Sequence, residues 1–153
     1  MFAARVAELP VGELVEATDD LRATVPAGCA LDVLDMELTH VGRGAARAVM
    51  PVASHHLNQA GVVQAGVLVA LADAVAGWAA KAAVPPGKSF VTVDLNANIL
   101  RPAVAGQTLA AVASPVQLGR SIMVINVDVR VLDESGSPGK LVCAFRCTEM
   151  VTG

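Results

Sequence analysis

The chain has 153 residues, enough for one domain with a sizeable core, and a single domain over 1–153 is expected. Hydrophobic residues make up 54% against 16% charged, and mean hydropathy is +0.58, so the chain holds more apolar surface than one small domain hides and self-association is expected. Net charge is −3, with no basic stripe and no interleaving of basic and aromatic residues, which argues against a nucleic-acid partner.

In chain order, the first thirty or so residues read as a helical lead-in. Val11, Leu14, Val15, Thr18 and Leu21 fall at helical spacing, and Pro26-Ala27-Gly28 ends the run. The opening residues lack the charged, apolar, small-residue order of a secretion signal, so a cytoplasmic location is expected. Leu34 to Val52 reads as two strands about a turn at Gly42 and Gly44, and Leu57 to Gln64 as a loop. A long helix follows, roughly Ala65 to Ala83, stopped by Pro85-Pro86-Gly87.

That helix is apolar on every side, apart from one carboxylate, Asp73, near its middle and Lys81 close to its end. A membrane span of this length would pay roughly 2.5–3.5 kcal/mol for an acidic group at its centre, so a helix buried in protein is the better reading. Beyond it the period changes to two. Val91, Val93, Leu95, Ala97 and Ile99 alternate with Thr92, Asp94, Asn96 and Asn98, which predicts an apolar and a polar face. Three more strands follow, joined by a turn at Gly119 and a loop at Asp133 to Gly139. Short connections favour antiparallel neighbours. The expected fold is α+β, an antiparallel sheet wrapped around one buried central helix.

Cys29, Cys143 and Cys147 contain no CxxC pair and read as reduced thiols. His55 and His56 are adjacent with no further ligand at metal spacing, so they read as loop residues and no metal is expected.

The stretch "NQAGVVQAGVLVALADAVAGWAA", Asn58 to Ala80, resembles the signature of hotdog-fold acyl-CoA thioesterases of the PaaI type. "VTVDLNANILRPAVAGQTL" and "LGRSIMVINVDVRVLDESGSPGKLVCAF" resemble the strands that follow it in that family. The resemblance implies hydrolysis of a CoA thioester by a homodimer, or a homotetramer built from two, with no cofactor because coenzyme A is part of the substrate. Carried over by position, Asp73 matches the carboxylate that acts as general base or nucleophile. Ala65, followed by Gly66, matches the helix start whose N–H groups polarise the carbonyl. Asn58 matches an amide that orients substrate or water, and Thr92 a hydroxyl that holds the attacking water. The sequence departs from the pattern at Gln64, which stands where the family usually has His, and at Ala65, which replaces the first glycine of His-Gly-Gly.

The chemistry supports these roles. A helix start supplies free N–H groups and a positive dipole end for an oxyanion. Asp73 lies eight residues beyond Ala65, about 12 Å along a helix axis, too far for one site within one chain. Antiparallel helices across a dimer axis would pair one subunit's helix start with the other's Asp73, giving two composite sites. Arg120 with Ser121, and Arg101, are candidates for the CoA phosphates. Val69, Val75 and Trp78 are candidates for the acyl pocket. Gln64 can hydrogen-bond but cannot titrate near neutral pH, so a non-hydrolytic hotdog protein that binds acyl-CoA or an acyl carrier remains open. A hotdog dehydratase is a third option, disfavoured because no His lies on the helix or the strands after it.

Overall fold

The computed structural model describes residues 6–153; the first five residues of the expected lead-in lie outside the described ones. Two glycines close the first hairpin. Gly44 has φ +75°, and a Cβ on Gly42 would collide with the Glu13 carbonyl oxygen of the chain crossing it. They join β2 (Glu37–Gly42) to β3 (Ala45–Pro51). From residue 15 on, the lead-in contains two single-turn helices, α1 (Asp19–Arg22) and α2 (Ala30–Val33), rather than one longer run. Val15 and Glu16 form a short strand, β1, paired with Val41 and His40. Pro10 and the left-handed Gly12 interrupt the helical spacing, and Thr18 then caps α1 through its hydroxyl.

The long helix is α3, Ala65–Ala83, as the sequence predicts. Four long strands follow: β4 (Ser89–Ile99), β5 (Thr108–Leu118), β6 (Ile122–Leu132) and β7 (Pro138–Thr152). All pair antiparallel in one sheet of order β1-β2-β3-β5-β6-β7-β4. Cross-strand partners share a face, so the register defines rows under α3. One row runs Ala46, Ala113, Val127, Phe145 and Ala97; another runs Ala48, Ala111, Val129, Cys143 and Ile99. The small residues of β3 and β5 let α3 lie close to the sheet.

The helix buries one side, through Leu68, Leu71, Ala72, Val75, Ala76, Ala79 and Ala80. Its other side, including Val69, Asp73 and Trp78, stays half-exposed in the single chain, so burial on every side is not what the fold delivers. By length and composition alone α3 could cross a membrane; here its apolar side is the roof of the sheet.

β4 departs from the predicted alternation. A β-bulge between Thr92 and Asp94 shifts the register against β7: Thr92 stands opposite Glu149, whereas Asp94 stands opposite Thr148. Thr92 therefore joins Leu95, Ala97 and Ile99 on the helix side, and Val91 turns outward with Asp94, Asn96 and Asn98. β4 also ends the sheet, with one edge unpaired among the described residues. Val91, Val93, Leu95 and Ile99 are each more than two-fifths exposed there.

Candidate active site

The loop before α3 leaves the helix start open. Asn58 Oδ1 accepts from the Ala60 N–H (2.9 Å) and the Val62 N–H (3.4 Å), so its carbonyl closes the loop, and its amide nitrogen has no acceptor among the described residues. The Gln64 N–H donates to the His56 carbonyl (2.8 Å), and the Gln64 carbonyl accepts from the Val67 N–H (2.9 Å). Among the described residues nothing accepts from the N–H groups of Ala65 or Gly66, and both residues are exposed. The Gln64 side chain makes no cap to its own helix. An open recess of about 470 Å³ lies here, lined by Leu57, Asn58, Gln59 and Gln64. Free N–H groups at a helix start are suited to an oxyanion.

The second cluster sits midway along α3. Thr92 Oγ1 lies 3.5 Å from Asp73 Oδ1 and 3.1 Å from Glu149 Oε1. The bulge in β4 makes this meeting possible, since regular alternation would turn Thr92 away. Burial pushes the Asp73 carboxyl above its ordinary range, and the Thr92 hydroxyl opposes that. Asp73 makes no ion pair among the described residues, with Lys81 or any other cation. A half-buried carboxylate made more basic and left without a cation is suited to taking a proton.

Glu149 was not singled out by the sequence, although a signal existed. The period of the last strand aligns it with Cys143, Phe145 and Cys147, an inward face. It is fully buried, and its Oε1 also accepts from the Cys147 thiol (3.3 Å). Burial and the neighbouring Glu149 drive the Cys147 thiol far above its usual range, so this sulfur is an inert proton donor.

The remaining candidates are spread out. Arg101 donates to the Leu141 carbonyl (3.0 Å) and precedes Ala103, whose carbonyl accepts from the Val63 N–H, which places it at the helix-start end. Arg120 and Ser121 are exposed in the β5–β6 turn, beside Val151 and so at the Thr92 end. Of the acyl-pocket candidates, Val75 is fully enclosed in the core and cannot touch a ligand. Trp78 lines a mainly apolar recess of about 470 Å³ with Val41, Val84, Pro85 and Pro86.

Asp35, His55 and His56 bring ligand-type atoms within 4.8 Å of one another. His56 has nothing left to offer a metal. Its Nδ1 accepts from the Ala53 N–H (3.0 Å), so Nε2 carries the proton and donates to the Leu34 carbonyl (3.1 Å). His55 Nε2 faces Asp35 Oδ2 at 3.1 Å. The pair ties the turn before β2 to the loop that sets the helix start.

The stretch that carries these features matches a known family. The model of the thioesterase superfamily matches residues 60–137, from the helix-start loop through β6. The chain belongs to the thioesterase superfamily. A Haemophilus influenzae thioesterase superposes with a TM-score of 0.78 at 33% identity, covering 91% of this chain and 93% of that one. The 1,4-dihydroxy-2-naphthoyl-CoA hydrolase of Escherichia coli is 28% identical over 124 residues, 81% of this chain and 87% of its own. A hypothetical thioesterase protein of Streptococcus pneumoniae, solved with coenzyme A, superposes with a TM-score of 0.68 at 25% identity, covering 77% of this chain and 86% of that one. As a superfamily member the chain has the hotdog architecture expected of it, one helix wrapped by an antiparallel sheet.

Proposed function

We propose that this chain is an acyl-CoA thioesterase whose active site is completed by a second copy. The observation that carries the reading is the separation of two half-sites on one helix. The free N–H groups of Ala65 and Gly66 lie at its start, and Asp73 with Thr92 lies about 12 Å further on. Asp73 and Thr92 stand beside the open edge of β4, an eleven-residue strand with exposed apolar side chains. Such an edge is a template for another strand, and a second copy related by a two-fold axis would present its own β4 antiparallel. Its helix would then run against this one and bring its start to Asp73. A further pairing of dimers into a tetramer accords with the apolar composition.

In this reading the thioester carbonyl oxygen binds the N–H groups of Ala65 and Gly66 from one subunit, while Asn58 presents its free amide to the substrate. Asp73 of the other subunit takes a proton from water held by Thr92. The water oxygen bonds to the carbonyl carbon, the oxyanion is held at the helix start, and collapse expels the CoA thiolate. The thiolate leaves without strong acid help, and the Asp73 proton returns to solvent or to the thiolate. Direct attack by the Asp73 carboxylate, with water then cleaving the anhydride, gives the same products. Neither route uses a cofactor or a titrating group at Gln64. Arg101 from the helix-start end, or Arg120 and Ser121 from the other, would meet the CoA phosphates at a cytosolic enzyme's solvent-facing rim.

The test is release of free thiol from a panel of aliphatic and aromatic acyl-CoAs. Turnover that disappears in Asp73→Asn, with the fold intact, is the expected result. Tight acyl-CoA binding without turnover, converted to turnover by Gln64→His, would instead establish the binding-protein reading.

A further inference from the structure

Glu149 is a fully buried carboxylate that the hydrolytic scheme above does not use. Its Oε1 takes two contacts, from Thr92 and Cys147, whereas Oε2 is buried with no hydrogen-bond partner among the described residues. Buried carboxylates are costly unless paired, and one left half-satisfied asks for a reason. Around it the helix-facing rows of β2, β3, β5 and β6 are apolar, among them Leu38, Ala48, Ala111 and Met123. On β7 the titratable groups of this face are Cys143, Cys147 and Glu149, and β4 adds only the Thr92 hydroxyl. On α3 itself the other charged group is Lys81, two turns past Asp73. The sheet thus aims a single carboxylate at the single carboxylate of the helix, with one hydroxyl between them.

A threonine hydroxyl has one proton to donate. Thr92 Oγ1 stands nearer Glu149 (3.1 Å) than Asp73 (3.5 Å), and the longer distance is past the usual range for an O–H···O bond. We propose that Glu149 is a positioning residue of the hydrolytic site: it draws the Thr92 proton toward itself and so keeps Asp73 from being quenched as a base. This rests on the reading of Asp73 as the group that takes the proton. Without Glu149 the hydroxyl turns wholly to Asp73, whose anion is then better stabilised and less basic.

The experiment follows the Asp73 carboxyl carbon by NMR through a pH titration, alongside the pH profile of kcat/KM. Glu149→Met should lower the Asp73 midpoint by about one pH unit and reduce turnover several-fold. Thr92→Val, which removes the donor, should move the midpoint the opposite way. The double variant should follow Thr92→Val. Glu149→Asp keeps the carboxyl group but withdraws its oxygens by one methylene; it should also lower the midpoint, and it serves if the methionine variant does not fold. A wild-type midpoint in both Glu149 variants overturns the proposal. An equal drop in the Thr92→Val background also overturns it, since the effect would then bypass the hydroxyl. Because the titration is read without substrate, it stands apart from the Asp73 reading, which fails separately if Asp73→Asn keeps wild-type turnover.

Discussion

Ala65→Pro separates the oxyanion donor from the helix that carries it. Ala65 is the first residue of α3, and its N–H has no acceptor within the described chain, so proline there removes no helical bond. The preceding Gln64 has φ −58° and ψ 133°, the extended geometry that a residue before proline prefers. Stability should hold or rise, by about 0.4–1 kcal/mol, because the unfolded chain loses freedom. Turnover should fall, since loss of one preorganised donor typically costs about 10²–10³ in kcat, or about 2.7–4 kcal/mol of barrier. The two are read on one preparation, as a thermal midpoint and as thiol release from an acyl-CoA. A variant that keeps its midpoint and its full kcat would refute the role given to this N–H. A variant that loses both would show that the helix start tolerates no ring, and would refute the cap geometry instead.

Asp73→Asn should abolish most turnover, roughly 10²–10⁴-fold for loss of a general base. It should also melt at a higher temperature at pH 7. The folded pKa of Asp73 is raised, so its stabilising contribution is present below the unfolded value near 3.8 and is lost as pH rises through the folded value. Melting curves that show the variant less stable than wild type at pH 7, yet equal at pH 3, would contradict this. Ile99→Lys places a charge on the open edge of β4, far along the strand from Thr92. Light scattering should show monomers, and activity should fall with the dimer fraction; an active monomer would remove the composite site. His56 has its pKa lowered, first by burial and then by the charge of His55. Its contribution to stability is present above the ordinary imidazole value of 6.5 and is lost as pH falls through the lowered folded value. The thermal midpoint should drop on acidification across that window, and an NMR titration of the His56 ring at or above 6.5 would defeat the assignment.

The helix and hairpins were legible because their signals are local. The apolar run from Ala65, the Pro85-Pro86-Gly87 stop and the Gly42–Gly44 turn each act within a few residues. The lead-in was less so, because Val11 to Leu21 carries a helical period while Pro10 and Gly12 set a backbone that strand β1 can join. Asp73 stood out as a lone charge among apolar neighbours. Glu149 did not, since an acidic residue near a strand end reads as solvent-facing until the register shows which side it takes. The face of Thr92 was misread for a comparable reason. A bulge is a property of two strands together, and the alternating pattern of β4 alone carries no sign of it.

That bulge also decides which changes β4 can absorb. Exchanging Asp94, Asn96 or Asn98 alters a side chain that faces away from the helix. Removing one residue between Thr92 and Asp94 would restore a continuous pleat and force a choice: Thr92 turns from Asp73, or Leu95, Ala97 and Ile99 turn from the helix side. Neither half of the strand can then satisfy its own neighbours. The count of residues in this strand is therefore held more tightly than their identity, and a one-codon deletion here should damage the protein more than most substitutions.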